Sequence, residues 1–370
     1  MESKELRPVS SVGMFDLLKG LSMLSIILGH TAQLVVSAQH HPSAVFLETL
    51  GNIFMGAFIM AAGFGIHKRS VKRCLRQLKD MFLLPYVLTA LACVLLGAIN
   101  DFFLYGSLRS ALEKGASLLI SLLFVASEEF TLGIYVIDCG PFWFIPSLAG
   151  GWFLLNLILN ITQEDRKRHL LVLLAGLIGY FGNLFAAKLE IHIPFCLFFM
   201  FVYVPFLYVG YLARERRWLE KKLPPILIVV MLACLAAFVW KRDVIYRMVM
   251  RDGYPLGIFT HSFAAVIGFG LLYLMTHINR RENRIVGLVE SIGRSSIYVH
   301  CVHALECRAV PWRTLREIWP NSAGPHAAFV ILVLRLAYIG FGYLLITTVK
   351  KQGGLPWLKE KLLPQRKKSA

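Results

Sequence analysis

Apolar residues run through this chain in long blocks rather than in the short clusters of a soluble helix face. Ten blocks, at 14–35, 45–66, 81–100, 142–161, 170–187, 193–212, 224–240, 256–276, 286–305 and 327–348, approach or reach the length a helix needs to cross a bilayer. The fifth and seventh are on the short side. A further run at 115–126 follows Glu113 and Lys114 and is too short to cross. It predicts a re-entrant or interfacial helix within the long segment 101–141. The pattern therefore predicts an all-α, polytopic membrane bundle of about ten transmembrane helices. The first block is too long for a signal-peptide core and reads as a signal anchor.

Composition agrees. The chain is 57% hydrophobic and 16% charged, against about 25% charged for soluble domains, and its mean hydropathy is +0.62. The formal net charge of +17 does not mark a nucleic-acid binder, because the basic residues segregate by loop. With the N-terminus inside, alternate loops hold 26 Lys and Arg on one side and 10 on the other, with Lys19, Arg294 and Arg335 inside spans. The positive-inside rule then places both termini in the cytoplasm of a multi-pass plasma-membrane protein. Residues 1–350 form the transmembrane domain and 351–370 a basic cytoplasmic tail. Seven cysteines, scattered largely through spans, give neither a bridge framework nor a metal spacing. Cys139, Cys301 and Cys307 could face outside.

Polar residues inside the first block are the main chemical signal. Asp16 lies one turn before Lys19, and Lys19 and His30 are eleven residues apart. At ~100° and 1.5 Å per residue the two fall within ~20° of one helix face and ~16 Å apart along it. An acid, a base and an imidazole thus share one stripe where lipid would penalise each. The structural alternative is a snorkelling lysine and a hydrogen-bonded histidine.

Other candidates follow in order. The loop Lys68–Lys79 carries six Lys and Arg and no acid. If helical it aligns Arg69, Arg73 and Arg76 on one face, suited to an anionic membrane surface or to phosphates. Segment 101–141 is acidic and ends at Gly140-Pro-Phe-Trp-Phe-Ile-Pro-Ser147, a broken helix start of the kind that lines cavities. Small residues before Gly65 in the second block predict close packing against the first span. The ninth block holds Glu290, Arg294, His300 and His303, and Arg335 is a buried polar candidate in the tenth.

Several of these patterns arrive in the order found in the membrane acyltransferase 3 family. Phe15-Asp16-x-x-Lys19-Gly20 with Gly29-His30 resembles its first-helix signature. Gly63 resembles its second-helix Ser-Gly-Phe pattern, with Ala62 in place of Ser. Arg73-x-x-Arg76 before Pro85 resembles its cytoplasmic Arg-x-x-Arg motif, and Phe142-Trp143-Phe144 its Trp-Phe-Leu motif. Gly293-x-Ser-Ser-x-Tyr298-x-His300 resembles a late motif, one residue shorter before the histidine. Lys19 stands where Arg is commoner.

This resemblance implies a membrane O-acyltransferase that moves an acyl group, usually acetyl, from cytoplasmic acyl-CoA to a hydroxyl of an extracytoplasmic glycan or envelope molecule. It implies His30 as general base with Asp16 and Lys19 beside the donor, and Arg69, Arg73 and Arg76 on the CoA phosphates. Trp143, Tyr298 and His300 would lie on the substrate side. It implies no permanently bound cofactor and no metal; acetyl-CoA is a donor substrate, and membrane lipids and the acceptor are the other partners. The competing reading is a secondary transporter of an envelope precursor, with Asp16, Lys19 and His30 as an ion path.

Overall fold

The computed structural model describes residues 12–35, 42–189, 191–240, 259–277, 284–312, 314–315 and 325–351. Their helices are α1 (Asp16–Val35), α2 (Pro42–Phe64), α3 (Val71–Leu78), α4 (Leu84–Tyr105), α5 (Leu108–Phe124), α6 (Phe144–Ile161), α7 (Asp165–Lys188), α8 (Leu197–Glu215), α9 (Pro225–Trp240), α10 (Phe259–His277), α11 (Arg284–Arg294), α12 (Ser296–Ala309) and α13 (Pro325–Lys351). One antiparallel hairpin, β1 (Phe130–Leu132) and β2 (Ile134–Val136), pairs Thr131 with Tyr135. Six helical stretches among the described residues are long and apolar enough to cross a membrane: Val71–Tyr105, Gly140–Ile161, Asp165–Lys188, Pro194–Glu215, Phe259–Thr276 and Phe329–Thr348. Their outward faces keep large apolar side chains exposed, among them Leu91, Leu95, Leu173, Phe181 and Phe341. Such a surface belongs in lipid rather than in water.

Three expectations change. The basic loop and the third span are continuous: α3 passes into α4 through a π-helical stretch, Lys79–Leu83, with no turn before Pro85. The helix predicted within 115–126 starts earlier and ends sooner, as the 17-residue α5 with Val125 as its left-handed C-cap. Gly106, at φ 64°, ends α4, and Ser107 caps α5 by accepting from the Ser110 amide at 3.2 Å. The block 286–305 is two helices, α11 and α12, broken at Ser295, whose ψ of 19° leaves the helical range. Ser295 accepts a hydrogen bond from Tyr343 there at 3.1 Å. Hydropathy could not show the break, because serine and glycine sit comfortably in membrane helices. The expected packing of α2 against α1 is present, with Ser22 reaching the Phe54 carbonyl at 3.4 Å, and Gly63 on the Leu207 backbone with Gly210 on Met60 adds a close contact between α2 and α8.

Backbone contact also joins α1 to α11. A Cβ on Gly293 would run into the Asp16 carbonyl, and one on Gly20 into the Val289 carbonyl. This crossing fixes the start of α1 and hence the direction of its polar stripe.

The polar loops collect at two ends of the bundle. At one, Arg69 meets Asn156 and Asn160, Arg214 donates to the Phe64 carbonyl at 2.8 Å, and Arg216 pairs with Asp165 at 2.7 Å. These are loops that the charge count assigns to one side. His67 lies here too, and burial with the nearby Arg214 and Arg69 charges holds its pKa below the ordinary value. At the other end lie the α4–α5 hairpin, β1–β2 and the turn before α6. The basic tail beyond 351 and residues 280–283, with Arg280 and Arg281, lie outside the described residues.

The α1–α11 crossing has a direct test. Gly293→Val should lower the thermal unfolding temperature in detergent or prevent folding, since forced overpacking costs about 1–3 kcal/mol or more. Gly340→Ala, where a Cβ meets nothing within 4 Å, should leave it unchanged or slightly raised. Equal effects would contradict the crossing.

Candidate active site

The polar stripe of α1 is present as its spacing predicts. Lys19 Nζ lies 2.7 Å from Asp16 Oδ1, one turn apart, with Asp16 buried and Lys19 partly buried. Asp16 opens the helix, where a carboxylate also meets the positive end of its dipole. His30, partly buried, lies near the other end of α1. Its ring is 5.3 Å from that of His303 on α12, tilted by 43°.

Behind these two imidazoles lies a network that the sequence did not reveal as a unit. His303 Nδ1 is 2.8 Å from Glu306 Oε1. A carboxylate can only accept, so Nδ1 carries the proton and Nε2 is left as the basic nitrogen. Arg335 of α13 clasps the same carboxylate, with Nη2 at 2.6 Å from Oε1 and Nε at 3.1 Å from both oxygens. Its Nη1 donates to Thr31 Oγ1 at 3.0 Å. Trp312 Nε1 donates to the Glu306 carbonyl at 3.0 Å and to its carboxylate. The side chains of His303, Glu306 and Arg335 are fully buried. Thr31 follows His30 directly, so the network grips α1 beside the candidate base.

His30 opens into a cleft of about 620 Å³ at the loop-rich end of the bundle. Trp143, Lys114, Asp138, Cys307 and Arg308 line it with His30. Trp143 ends a tight turn, Gly140–Trp143, and packs against Phe199 with ring centroids 5.2 Å apart. Asp138 holds that turn: it accepts from the Gly140 amide at 2.7 Å and pairs with Arg308. Burial and the Arg308 charge push the Lys114 ammonium below its ordinary pKa, and Asp101 pulls it back. The acidic segment 101–141 thus supplies much of the cleft wall.

Tyr298 and His300 are not in that wall. His300 is buried, with Nε2 3.0 Å from the Pro141 carbonyl and its ring 5.1 Å from Phe144. It braces the turn that presents Trp143. Tyr298 is partly buried on α12. His303, one turn after His300 on the same helix, lies beside His30 instead.

At the opposite end, Arg73 and Arg76 stand on the exposed face of α3. Arg69 does not share that face, because it precedes the helix and its Ser70 N-cap. Its backbone is clamped instead. The Arg69 amide donates to Asn156 Oδ1 at 2.9 Å, and its carbonyl accepts from Asn156 Nδ2 at 3.0 Å and Asn160 Nδ2 at 2.9 Å. Two asparagines four residues apart in an otherwise apolar span were the available signal for this clamp.

Ligand atoms of His303, Glu306 and Cys307 lie within 4.8 Å of one another. Arg335 already donates to Glu306 and, at 3.0 Å, to Cys307 Sγ. A divalent cation would have to share the site with a guanidinium, so the donor set suits proton handling better than metal binding. All seven cysteines, Cys139, Cys301 and Cys307 among them, are free thiols.

The buried pair has a clear energetic signature. Arg335→Met strands a carboxylate in the bundle and should destabilise by about 3–5 kcal/mol. Adding Glu306→Gln should recover part of that loss in detergent unfolding; a strictly additive pair would contradict the coupling.

No match is found among curated proteins or solved structures. A family model described as an acyltransferase domain matches residues 13–349, nearly the whole chain. It covers every residue of the α1 stripe, the Arg73–Arg76 helix, Trp143 and the Glu306–Arg335 network. The chain therefore belongs to the membrane acyltransferase 3 family, as a multi-pass membrane acyltransferase.

Proposed function

We propose that this protein is an O-acyltransferase that takes an acyl group, most simply acetyl, from acyl-CoA at its cytoplasmic face and passes it to a hydroxyl of an extracytoplasmic glycan or other envelope molecule. Both termini are cytoplasmic in this reading, and the membrane is the plasma membrane. The observation that carries it is the position of His30. A partly buried imidazole stands in the wall of a polar cleft, at the end of the bundle away from the arginine helix α3.

Each part of the chain then has a physical task. Arg73 and Arg76 hold the CoA phosphates, which planar guanidinium groups grip well. Arg69 adds charge beside them on its clamped backbone. The acyl-pantetheine arm runs along α1 past the Asp16–Lys19 pair toward His30. An acceptor hydroxyl enters the outer cleft between Trp143 and the charged wall. His30 removes its proton as oxygen attacks the acyl carbonyl, and CoA leaves as the thiol. The His303–Glu306–Arg335 network sets the position of α1 and adds a second, oriented imidazole next to the first.

Two variants test the assignment. His30→Ala should insert and fold but lose acyl transfer by about 10²–10⁴-fold, the usual worth of a positioned base. Wild-type turnover in that variant would remove His30 from the chemistry. Arg73→Ala with Arg76→Ala should weaken acyl-CoA binding by roughly tenfold or more while folding is kept, as expected for two lost charge-assisted contacts. Unchanged affinity by calorimetry would place the donor elsewhere.

A further inference from the structure

The outer cleft contains a nucleophile that the direct mechanism leaves idle. Of the seven cysteines, six are buried, and Cys307 alone is partly open. It lines the cleft together with His30. Its Sγ lies 3.8 Å from Nδ1 and 3.9 Å from Nε2 of His303, one turn earlier on α12. His303 is oriented by Glu306, whose Oε1 also accepts from the Cys307 thiol at 3.4 Å, and Arg335 Nη2 reaches the same sulfur at 3.0 Å. A neutral thiol between an oriented imidazole and a guanidinium–carboxylate pair has a base and a proton path beside it, so the sulfur can lose its proton as it attacks rather than stand as a thiolate. These groups come from three positions of one helix and a buried arginine.

We propose that Cys307 is a catalytic residue that carries the acyl group as a thioester between donor and acceptor. This inference rests on the acyltransferase reading above. In the first half-reaction Cys307 Sγ attacks the carbonyl carbon of acyl-CoA. A new bond forms to Sγ, the bond to the CoA sulfur breaks, and the thiol proton passes through His303 Nε2 to the departing CoA thiolate. In the second, the acceptor hydroxyl oxygen attacks the acyl-Cys307 carbonyl. The oxygen–carbon bond forms, the bond to Sγ breaks, and His30 carries the hydroxyl proton to the sulfur. No electrons are exchanged with any third reagent. The first step swaps one thioester for another and the second is downhill to an ester. The two imidazoles, 5.3 Å apart, thereby take one proton transfer each. Donor and acceptor need not occupy the site together, which suits substrates that arrive from opposite sides of a membrane.

The test uses the purified full chain in lipid nanodiscs with acetyl-CoA, radiolabelled CoA and no acceptor. A thioester carrier predicts exchange of label into acetyl-CoA. It also predicts one acetyl group on the peptide containing Cys307, released by neutral hydroxylamine. Both should fall to background in Cys307→Ala and survive in Cys301→Ala. Cells producing each form and fed labelled acetate give the second readout. If wild-type protein acetylates envelope material but shows no exchange and no modified Cys307, the carrier role is overturned and the acyltransferase reading stands. Full transfer by Cys307→Ala has the same meaning. If wild-type protein neither transfers acetyl in cells nor binds acetyl-CoA, the functional reading itself fails. Should Cys307→Ala misfold, the wild-type exchange and the peptide mass decide the matter alone.

Discussion

A carboxylate and a guanidinium buried together in the bundle set the terms for the rest of the molecule. Glu306 and Arg335 have no exposed side-chain surface, and taking either charge out of water costs several kcal/mol. The cost is tolerable only if nearly every polar atom is engaged. Glu306 accepts from Arg335, His303 and Trp312, while Arg335 also donates to Thr31 and Cys307. These partners come from α1, α12, α13 and the segment after α12. The network can form only when those elements sit in one register, so it specifies that register. His30, next to Thr31, is held by the same requirement.

A second constraint is backbone proximity. At Gly20 and Gly293 the helices α1 and α11 meet main chain to main chain. This pins the Asp16 end of α1, and Thr31 pins the His30 end. Between two fixed points the helix can present its polar stripe in only one direction. The two ends of the bundle are prepared differently. Asn156 and Asn160 hold the Arg69 backbone at one, and Asp138 with Arg308 holds the turn before Trp143 at the other. In both, a rigid helix positions a loop that could not position itself.

Much of this was legible in the residues, and the omissions have physical causes. The α1 stripe follows from helical spacing alone, because lipid makes each ionisable residue conspicuous. The all-helical bundle follows from the long apolar blocks. Glu306 gives no signal of its own, because the ninth apolar block ends at 305, one residue short of it. Buried ion pairs join distant parts of the chain, and no local spacing links 306 to 335. Arg335 stood out as a charge in a span, but its partner did not. Periodicity aligns Arg69 with the helix face, whereas the helix begins after it, at Val71 behind the Ser70 N-cap. The break at Ser295 leaves no trace in hydropathy, since serine is tolerated within membrane helices and its Tyr343 partner comes from another helix.

The central claim is that one helix connects a donor site made of arginines to an imidazole in the opposite cleft. An electron cryo-microscopy structure of the full chain with a non-hydrolysable acyl-CoA analogue tests it most directly. The account predicts the nucleotide phosphates against Arg73 and Arg76, the pantetheine beside Lys19, and the acyl carbonyl in contact with His30 and Cys307. An analogue bound with its acyl end outside the bundle, or with its phosphates away from α3, would contradict it.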